Sequence, residues 1–382
     1  MTDFSPPSPG PPERLVTRQP GDPMKILIAT DAWEPQVNGV VRTLSHLVAE
    51  LEAMGDEVHV LSHEGRRTFA MPSYPEIRLA FPSRREVARE IAGFAPDAIH
   101  VATEGPIGSR VRRHCIHRRL PFTTSYHSRF PEFVSARLPL PGIERGLYAL
   151  LRAFHGPARA VLSPTPSISR DLEARGFTRV LTWTRGVDHA VFRPHAAHER
   201  AVYEGDGPFL VHVGRLAAEK NVEAFLSLDV SGTKIVIGDG PERARLERRY
   251  PKARFLGYRF GADLARHIAG GDVFVFPSRS DTFGLVMIEA MACGLPVAAY
   301  PVPGPIDVVE HGRSGWLDED LARAVRGALA LDPAEARARA AGFTWTETAR
   351  QFRETLERLP ARSQSAGSGI ASSSRSAARA CS

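Results

Sequence analysis

Two carboxylates eight residues apart mark the part of this sequence that is richest in chemistry. The segment 277–294 reads PSRSDTFGLVMIEAMACG, with Asp281 before a predicted helix and Glu289 inside it. Eight residues make about 2.2 helical turns, so both side chains lie on roughly the same face. An unpaired carboxylate among apolar residues is costly, and Glu289 is therefore predicted to bind a pair of ligand hydroxyls. Asp281 either joins such a site or only caps the helix.

The start of the same helix is a candidate phosphate site. The first amides of a helix have no partner within it, and the positive end of the helix dipole attracts anions. The predicted start near residue 283 makes three backbone N–H groups available for this purpose, those of Phe283, Gly284 and Leu285.

The segments that follow two other predicted strands also contain residues that could bind an anionic ligand. Arg215 and Lys220 in VGRLAAEKN follow a predicted strand, and two cations near a helix N-terminus can clamp a diphosphate. Asn38-Gly39 opens a helix after the first strand, where glycine lets a phosphate approach the backbone. The alternative for Arg215 and Lys220 is that they are solvated loop charges. The alternative for Asn38-Gly39 is a plain turn before a helix. No G-x-G-x-x-G follows the first strand, which disfavours a dinucleotide-dependent dehydrogenase.

Strands that alternate with helices must position these residues. The apolar runs begin with KILIAT, EVHVLS and DAIHVA in the first half and continue with PFLVHVG, TKIVIGDG and DVFVFPS in the second. Such alternation predicts parallel, doubly wound sheets. More than ten strands exceed what one open sheet usually carries, so the chain is predicted to form two Rossmann-like α/β lobes that face a central cleft.

The boundaries of these lobes follow from changes in composition. The chain is divided into a disordered Pro-rich N-terminus, an N-terminal lobe, a C-terminal lobe, a final helical segment and a disordered Ser/Ala/Arg-rich tail. The predicted ranges are 1–23, 24–190, 191–345, 346–360 and 361–382.

The composition is that of an ordinary globular chain. The 382 residues include 49 Lys and Arg against 43 Asp and Glu, a formal net charge of +6, and 43% are hydrophobic. No window approaches the run of about 18 apolar residues that spans a membrane, and no apolar signal-peptide core is present. Three widely spaced cysteines form no metal or disulfide pattern, so a reduced, cytoplasmic protein is predicted.

Two basic segments bear on possible partners. RVRRHCIHRR (110–119) and PGIERGLYALLRAFHGPARA (141–160) suit interfacial helices on anionic lipid, or ordinary amphipathic helices packed on a sheet. The first run has no aromatic residue between its arginines, as base stacking would require. We therefore predict no specific nucleic-acid partner.

Taken together, these motifs resemble the retaining glycosyltransferases of family 4, which have the GT-B fold. The resemblance implies that 24–190 is the acceptor-side lobe, that 191–345 is the donor-side lobe, and that the helix in 346–360 crosses back to the first lobe. The resemblance covers about 24–360 and includes NGV (38–40), SYH (125–127), GRLAAEKN (214–221), GDGP (238–241) and the segment 277–294. TSYHSRFPEF (124–133) further resembles the lipid-glycosylating branch, with its sulfoquinovosyl-diacylglycerol synthase-like and GDP-mannose-dependent α-mannosyltransferase-like enzymes.

The resemblance implies roles for the phosphate- and ribose-binding residues. Arg215 and Lys220 would neutralise the leaving diphosphate, and Gly39 would offer its backbone to the same phosphates. Glu289 would bind the ribose hydroxyls of the nucleotide. It is the second carboxylate of the family's E-x7-E motif, whose first position here is Asp281, one methylene shorter than glutamate.

The resemblance also implies which residues contact the sugar and the base. Asp281 and the amides that begin the helix would hold hydroxyls of the transferred sugar. His127 would face the 6-hydroxyl of that sugar and the reacting centre. The alternative is that His127 is a core histidine whose hydrogen bonds are satisfied within the protein. Tyr258 would flank the nucleobase.

The implied reaction is transfer of mannose or glucose from a UDP- or GDP-sugar to a lipid or glycan acceptor. The resemblance implies an α-linkage formed with retention, no metal, no cofactor, and peripheral contact with an anionic membrane on its cytoplasmic face. The alternatives are a nucleotide-sugar 2-epimerase on the same architecture and a non-catalytic basic protein that binds membranes or nucleic acid.

Overall fold

The computed structural model describes residues 22–71, 74–137, 140–196, 203–204 and 207–356. The predicted N-terminal segment up to residue 21 and the predicted tail 361–382 lie outside the described residues. Within the described residues the chain forms two six-stranded parallel sheets and one short antiparallel hairpin. This confirms the prediction of two doubly wound α/β lobes.

The first lobe is built on a sheet with the strand order β2-β1-β5-β6-β7-β8. Its strands are β1 (Lys25–Ala29), β2 (Glu57–Leu61), β5 (Ala98–Val101), β6 (Thr123–Ser125), β7 (Val161–Ser163) and β8 (Val180–Thr182), and the separate hairpin is β3 (Thr68–Met71) with β4 (Tyr74–Ala80). Its helices are α1 (Gly39–Ala53), α2 (Arg84–Phe94), α3 (Pro106–Arg118), α4 (Phe130–Arg137), α5 (Ile143–His155) and α6 (Pro166–Ala174).

The second lobe repeats the scheme with the strand order β11-β10-β9-β12-β13-β14. Its strands are β9 (Phe209–Val213), β10 (Thr233–Ile237), β11 (Arg254–Phe255), β12 (Val273–Phe276), β13 (Val297–Ala299) and β14 (Gly315–Leu317). A 3₁₀ turn (Ala218–Lys220) precedes α7 (Val222–Leu226), followed by α8 (Arg243–Arg249), α9 (Gly261–Ala269), α10 (Leu285–Ala292), α11 (Pro305–Val308), α12 (Leu321–Leu329), α13 (Pro333–Ala340) and α14 (Trp345–Thr355).

Each sheet is covered on both faces, which explains why β12 is apolar throughout and β1 is apolar after Lys25. In β1, Ile26 and Ile28 pack into one buried cluster, whereas Leu27 and Ala29 pack into another on the opposite face. Successive side chains of a strand alternate between faces, so a strand covered on both sides is mainly apolar and any polar side chain in it must be hydrogen-bonded. The same alternation in β9 divides its side chains between two clusters.

The last described helix returns to the first lobe. Phe352 of α14 lies in the buried cluster that includes Leu44 of α1, and the Trp345 ring stacks on His46 with centroids 4.6 Å apart. The chain passes from one core to the other just after β8, since Trp183 packs in the first lobe and Val187 in the second.

Candidate active site

The predicted site residues follow strands whose carboxyl ends face the junction between the lobes. His127 follows β6 in the first lobe, and its carbonyl oxygen accepts a hydrogen bond from Thr282 Oγ1 of the second lobe at 2.8 Å. At the start of α1, a Cβ added to Gly39 would lie 3.7 Å from Leu285 Cδ1 at the start of α10. The two helix N-termini that were predicted to meet phosphates are therefore neighbours across the junction.

Helix α1 begins where Asn38-Gly39 was predicted to open it. Asn38 caps the helix, because its Oδ1 accepts hydrogen bonds from the amides of Val40 and Val41, both at 3.0 Å. An added methyl group at Gly39 would make an ordinary contact with Leu285 rather than a clash. The glycine is thus not required by packing within the protein, and its predicted use by a phosphate remains a prediction.

Lys220 and Asp281 form an ion pair in the second lobe. Lys220 ends the 3₁₀ turn after β9, and its Nζ donates to Asp281 Oδ1 at 2.5 Å. Burial acts to raise the pKa of Asp281, but the charge and hydrogen bond of Lys220 outweigh it and hold that pKa below its usual value. Asp281 Oδ2 is shielded from solvent and has no partner among the described residues. The carboxylate is ionised and keeps one oxygen available.

The segment that begins α10 needs glycine. Gly284 has a φ of +82°, and a Cβ there would lie 2.8 Å from Met287 Cε and 2.9 Å from Phe276 Cζ. Phe283 is buried in the core, so only its backbone is left for a ligand. The helix itself starts at Leu285, one or two residues after the predicted start. Arg215 is half-buried two residues beyond the end of β9, on the same sheet edge as Lys220.

Glu289 is paired with a residue that sequence reasoning missed. Its side chain belongs to α10 and the residue is only 3% exposed. The Arg42 guanidinium of α1 donates to Glu289 Oε1 across the lobe junction, whereas Oε2 is shielded and has no partner among the described residues. The signal that could have found Arg42 is its position one turn after Gly39, on a helix that begins at a predicted ligand-binding strand exit.

His127 is a neutral histidine at the lobe junction. Burial lowers its pKa well below the usual value, and the nearby charge of Arg185 lowers it further. Arg185 Nη2 lies 3.4 Å from His127 Nδ1, and the edge of the imidazole ring faces Trp183. Nε2 is shielded from solvent without a partner among the described residues. Arg185 was also missed, because nothing local in TRGVD indicates that its side chain is buried.

Tyr258 lies on the surface of the second lobe as half of an aromatic pair. Its ring stacks on Phe260, with centroids 5.8 Å apart and planes inclined by 19°. The two residues are 50% and 57% exposed, which is unusual for adjacent aromatic rings. Tyr258 Oη donates to the carbonyl oxygen of Asp239 at 3.4 Å, so the pair lies beside the GDGP turn after β10.

A polar cavity of about 490 Å³ opens at the carboxyl ends of β1 and β2. It was not predicted. Its lining combines two arginines and a histidine with two glutamates: Glu34, Pro35, His63, Glu64, Gly65, Arg66, Thr68 and Arg78. The carboxyl ends of parallel strands share one sheet edge, so the cavity lies on the same edge of the first lobe as His127.

Neither a metal-binding cluster nor a membrane-spanning helix occurs among the described residues. No group of three or more His, Cys, Asp or Glu side chains there is arranged to hold a metal ion. Among the helices of the same described ranges, none is both long enough and apolar enough to cross a bilayer.

Comparison with known proteins decides the family. The model described as Glycosyltransferase Family 4 matches residues 37–191, and the one described as Glycosyl transferases group 1 matches residues 207–331. A GDP-mannose-dependent alpha-mannosyltransferase of Mycobacterium tuberculosis is 34% identical over 317 residues, covering 77% of this chain and 83% of that protein. The chain belongs to glycosyltransferase family 4.

Two other relatives are named for different sugars or products. The sulfoquinovosyl transferase SQD2 of Arabidopsis thaliana is 32% identical over 310 residues, 74% of this chain and 61% of that protein. An alpha-monoglucosyldiacylglycerol synthase of Streptococcus pneumoniae is 28% identical over 361 residues, 81% of this chain and 79% of that protein. This family 4 protein is therefore a glycosyltransferase that uses a nucleotide sugar, close to lipid-glycosylating enzymes. Membership favours glycosyl transfer over the epimerase and the non-catalytic alternatives.

The fold agrees with this family 4 assignment. A sucrose-phosphate synthase of Thermosynechococcus elongatus superposes with a TM-score of 0.69 at 22% identity, covering 86% of this chain and 97% of that one. HepE of Anabaena, solved with UDP and glucose, superposes with a TM-score of 0.63 at 19% identity, covering 87% and 99%. Both likenesses confirm the predicted GT-B architecture.

Proposed function

We propose that this family 4 enzyme transfers mannose or glucose from a GDP- or UDP-sugar to the polar end of a lipid or to a glycan, with retention of the α-configuration. The observation that carries the proposal is the convergence of ionised and neutral groups at one lobe junction: Lys220, Asp281 and Glu289 on one side and His127 on the other. GDP-mannose is the favoured donor, because the relative with 34% identity is named for it.

The second lobe would hold the donor through its charges. Departure of the nucleotide develops negative charge on the β-phosphate, and Lys220 with Arg215 would stabilise that charge. Glu289 Oε2 would accept a ribose hydroxyl while Oε1 stays on Arg42. Positive side chains would take the part that a divalent cation plays in other transferases, and the reaction would need no metal. The exposed Tyr258 ring would lie against the base.

The sugar would lie between Asp281 and His127. Asp281 Oδ2 would accept a hydrogen bond from a sugar hydroxyl, and the amides at the start of α10 would surround the same sugar. The bond between the anomeric carbon and the phosphate oxygen breaks with its electron pair going to the phosphate. The acceptor oxygen bonds to the same face of that carbon, and its proton passes to the departing phosphate. No carboxylate nucleophile is needed on this route, unlike in a retaining glycosidase.

The acceptor would enter the cavity of the first lobe. Arg66 and Arg78 supply positive charge there, and Glu34 and Glu64 can accept hydrogen bonds from hydroxyls. That combination suits a headgroup with several hydroxyls and an anionic group. On the same lobe, Leu140 and Leu150 around α5 are exposed beside exposed arginines of that helix, which would support peripheral contact with an anionic bilayer.

A thermal-shift panel tests the donor site first. Purified protein is heated with GDP, UDP, ADP and their mannose and glucose conjugates, with and without EDTA. We expect one nucleotide family to raise Tm in the presence of EDTA and Glu289→Ala to abolish the shift. Glu310→Ala is the matched control, because it removes an exposed carboxylate of the same lobe.

Turnover completes the test. Incubation of the shifting donor with vesicles that contain glycolipid or anionic phospholipid should release the nucleotide and yield a glycosylated lipid by mass spectrometry, with the anomeric configuration assigned by NMR. If no nucleotide shifts Tm, the junction is not a nucleotide-sugar site and the proposal is wrong. A β-linked product would overturn the retaining mechanism alone.

A further inference from the structure

Arg185 is a buried cation at the passage from the first lobe to the second. It lies two residues after Trp183, is 3% exposed, and forms no ion pair with a carboxylate in the described part of the chain. Its Nη1 donates to the carbonyl oxygens of Trp183 and Thr184 at 2.7 and 2.9 Å, and the guanidinium lies 4.2 Å from the centre of the Trp183 ring. Burial of an unpaired charge is costly, so a purpose beyond packing is expected.

The remaining arm of Arg185 meets His127. Nη2 lies 3.4 Å from Nδ1 of the imidazole. A guanidinium carries only donors, so Nδ1 must accept this hydrogen bond and cannot carry a proton of its own. A neutral imidazole has one N–H group, and that group must then be at Nε2. The pKa of His127 is held well below its usual value by burial first and by Arg185, His100 and His155 next, so the ring is neutral at pH 7.

The Nε2–H group faces no partner within the described residues. It is shielded from solvent, and the backbone of the same residue is tied to the second lobe through Thr282, the neighbour of Asp281. A buried donor without an acceptor is costly unless a ligand supplies the acceptor. Because the His127 carbonyl contacts Thr282, next to Asp281, an oxygen of the bound sugar or acceptor is the natural partner.

We propose that Arg185 is a positioning residue that fixes His127 in the neutral Nε2–H tautomer, so that His127 donates a hydrogen bond to a substrate oxygen and does not act as a base. The identity of that oxygen rests on the proposed function; the tautomer does not. The inference separates two roles that a histidine at this place could have. A base would need Nε2 free of its proton.

Nitrogen NMR on histidine-labelled protein tests the tautomer without any substrate. The His127 signals are assigned by their loss in His127→Gln. We expect wild-type His127 in the Nε2–H form, a mixture of tautomers in Arg185→Met, and the wild-type form again in Arg185→Lys, which keeps a donor. His212 is the internal control: its Nδ1 donates to the carbonyl oxygen of Val275 at 3.0 Å, so it must be an Nδ1–H tautomer in every variant.

A pair of substitutions tests the role in turnover. The amide nitrogen of glutamine can occupy the place of Nε2, and that of asparagine the place of Nδ1. We expect His127→Gln to keep kcat/KM about tenfold above His127→Asn, the effect of one hydrogen bond. Arg185→Met should lower kcat and Arg185→Lys should restore most of it, because the lysine keeps the donor that fixes the tautomer.

The outcomes separate the inference from the proposed function. An Nδ1–H signal for wild-type His127, or Asn equal to or better than Gln, overturns the inference even if the enzyme is active. An Nε2–H signal in a protein that binds no nucleotide sugar contradicts the proposed function and leaves the tautomer assignment standing. If Arg185→Met does not fold, the wild-type and Arg185→Lys spectra decide the tautomer by themselves.

Discussion

The two lobes have nearly the same sheet but place different chemistry at the strand ends. The second lobe presents ionised groups, the Lys220–Asp281 pair and Glu289, above a largely apolar core. The first lobe presents a neutral histidine, His127, above a buried polar layer. In that layer His100 bonds through its two ring nitrogens to Thr123 and Ser125 at 2.8 and 2.9 Å.

This difference matches what each half of a glycosyl donor needs. A diphosphate is recognised by charge, which tolerates small errors in position, whereas sugar hydroxyls are distinguished by directional hydrogen bonds. Because the His127 ring is neutral, it can donate to a sugar oxygen without adding its own positive charge beside the phosphates. We infer that the second lobe stabilises the charge of the diphosphate and that the first lobe distinguishes the hydroxyls of the sugar.

Acid should affect the first lobe most, and this is the largest effect we expect. Burial lowers the pKa of His100 to about 3 and that of His212 to about 4, and lowers that of His127 as well. The unfolded chain takes up protons below its histidine pKa of about 6.5 and the folded chain does not, so stability present at pH 7 is lost as the pH falls. At pH 5 we expect a loss of about 2 kcal/mol for each of His100 and His212.

Urea unfolding at pH 7 and pH 5, with hydrogen exchange at both, checks this expectation. Two of the three histidines lie in the first lobe, so β5 and β6 should lose protection before β9 and β12. His212→Asn keeps a donor at the Nδ1 position. It should remove the contribution of His212 to the loss of unfolding free energy between pH 7 and pH 5, about 2 kcal/mol. Equal loss of protection in both lobes would contradict the difference between them.

Lys220→Ala should have the next largest effect. Loss of a preorganised positive charge at a developing phosphate anion lowers kcat/KM by about 10³, or about 4 kcal/mol. Lys252→Ala, which removes an exposed lysine of the same lobe, is the control. Asp281 is left buried without its partner, so Lys220→Ala/Asp281→Asn separates misfolding from lost catalysis. Activity within about threefold of wild type would show that the second lobe does not work through this charge.

The sequence predicted the strand ends but not the contacts across them. Runs such as KILIA and FLVHV identify strands covered on both faces, and residues just after them were correctly placed at one edge. The contacts Arg42–Glu289 and Arg185–His127 join residues 247 and 58 positions apart. Such pairs depend on how the lobes meet, which local periodicity does not encode. The β3–β4 hairpin was missed for a related reason, since it lies outside both parallel sheets.

The Arg42–Glu289 pair tests whether charge also joins the lobes. Removal of one partner of a buried pair is usually costly, but the Arg42 side chain is 35% exposed, so we expect Arg42→Met to lower the unfolding free energy by about 2 kcal/mol. Arg42→Met/Glu289→Gln should recover most of the lost unfolding free energy.

The control is Lys25→Met, which breaks the exposed Lys25–Glu57 pair and should lower the unfolding free energy by less than about 0.5 kcal/mol. Urea titrations of the four proteins give the comparison; an equal cost for the two single variants would mean that burial at the junction adds nothing.

The smallest effect should come from the exposed aromatic pair. Tyr258 and Phe260 already stack on each other, so a nucleobase that joins them gains one aromatic face rather than a new pocket. We expect Tyr258→Ala to weaken nucleotide binding by about 1 kcal/mol, or about fivefold, and Tyr258→Phe to leave it nearly unchanged. Calorimetry with the nucleoside diphosphate measures this without turnover. Stacking needs the ring and not the hydroxyl, so the two variants separate the two contributions. A loss in Tyr258→Phe equal to that in Tyr258→Ala would instead place a base-specific hydrogen bond at the Tyr258 hydroxyl, and the second lobe would then also recognise its ligand by directional hydrogen bonds.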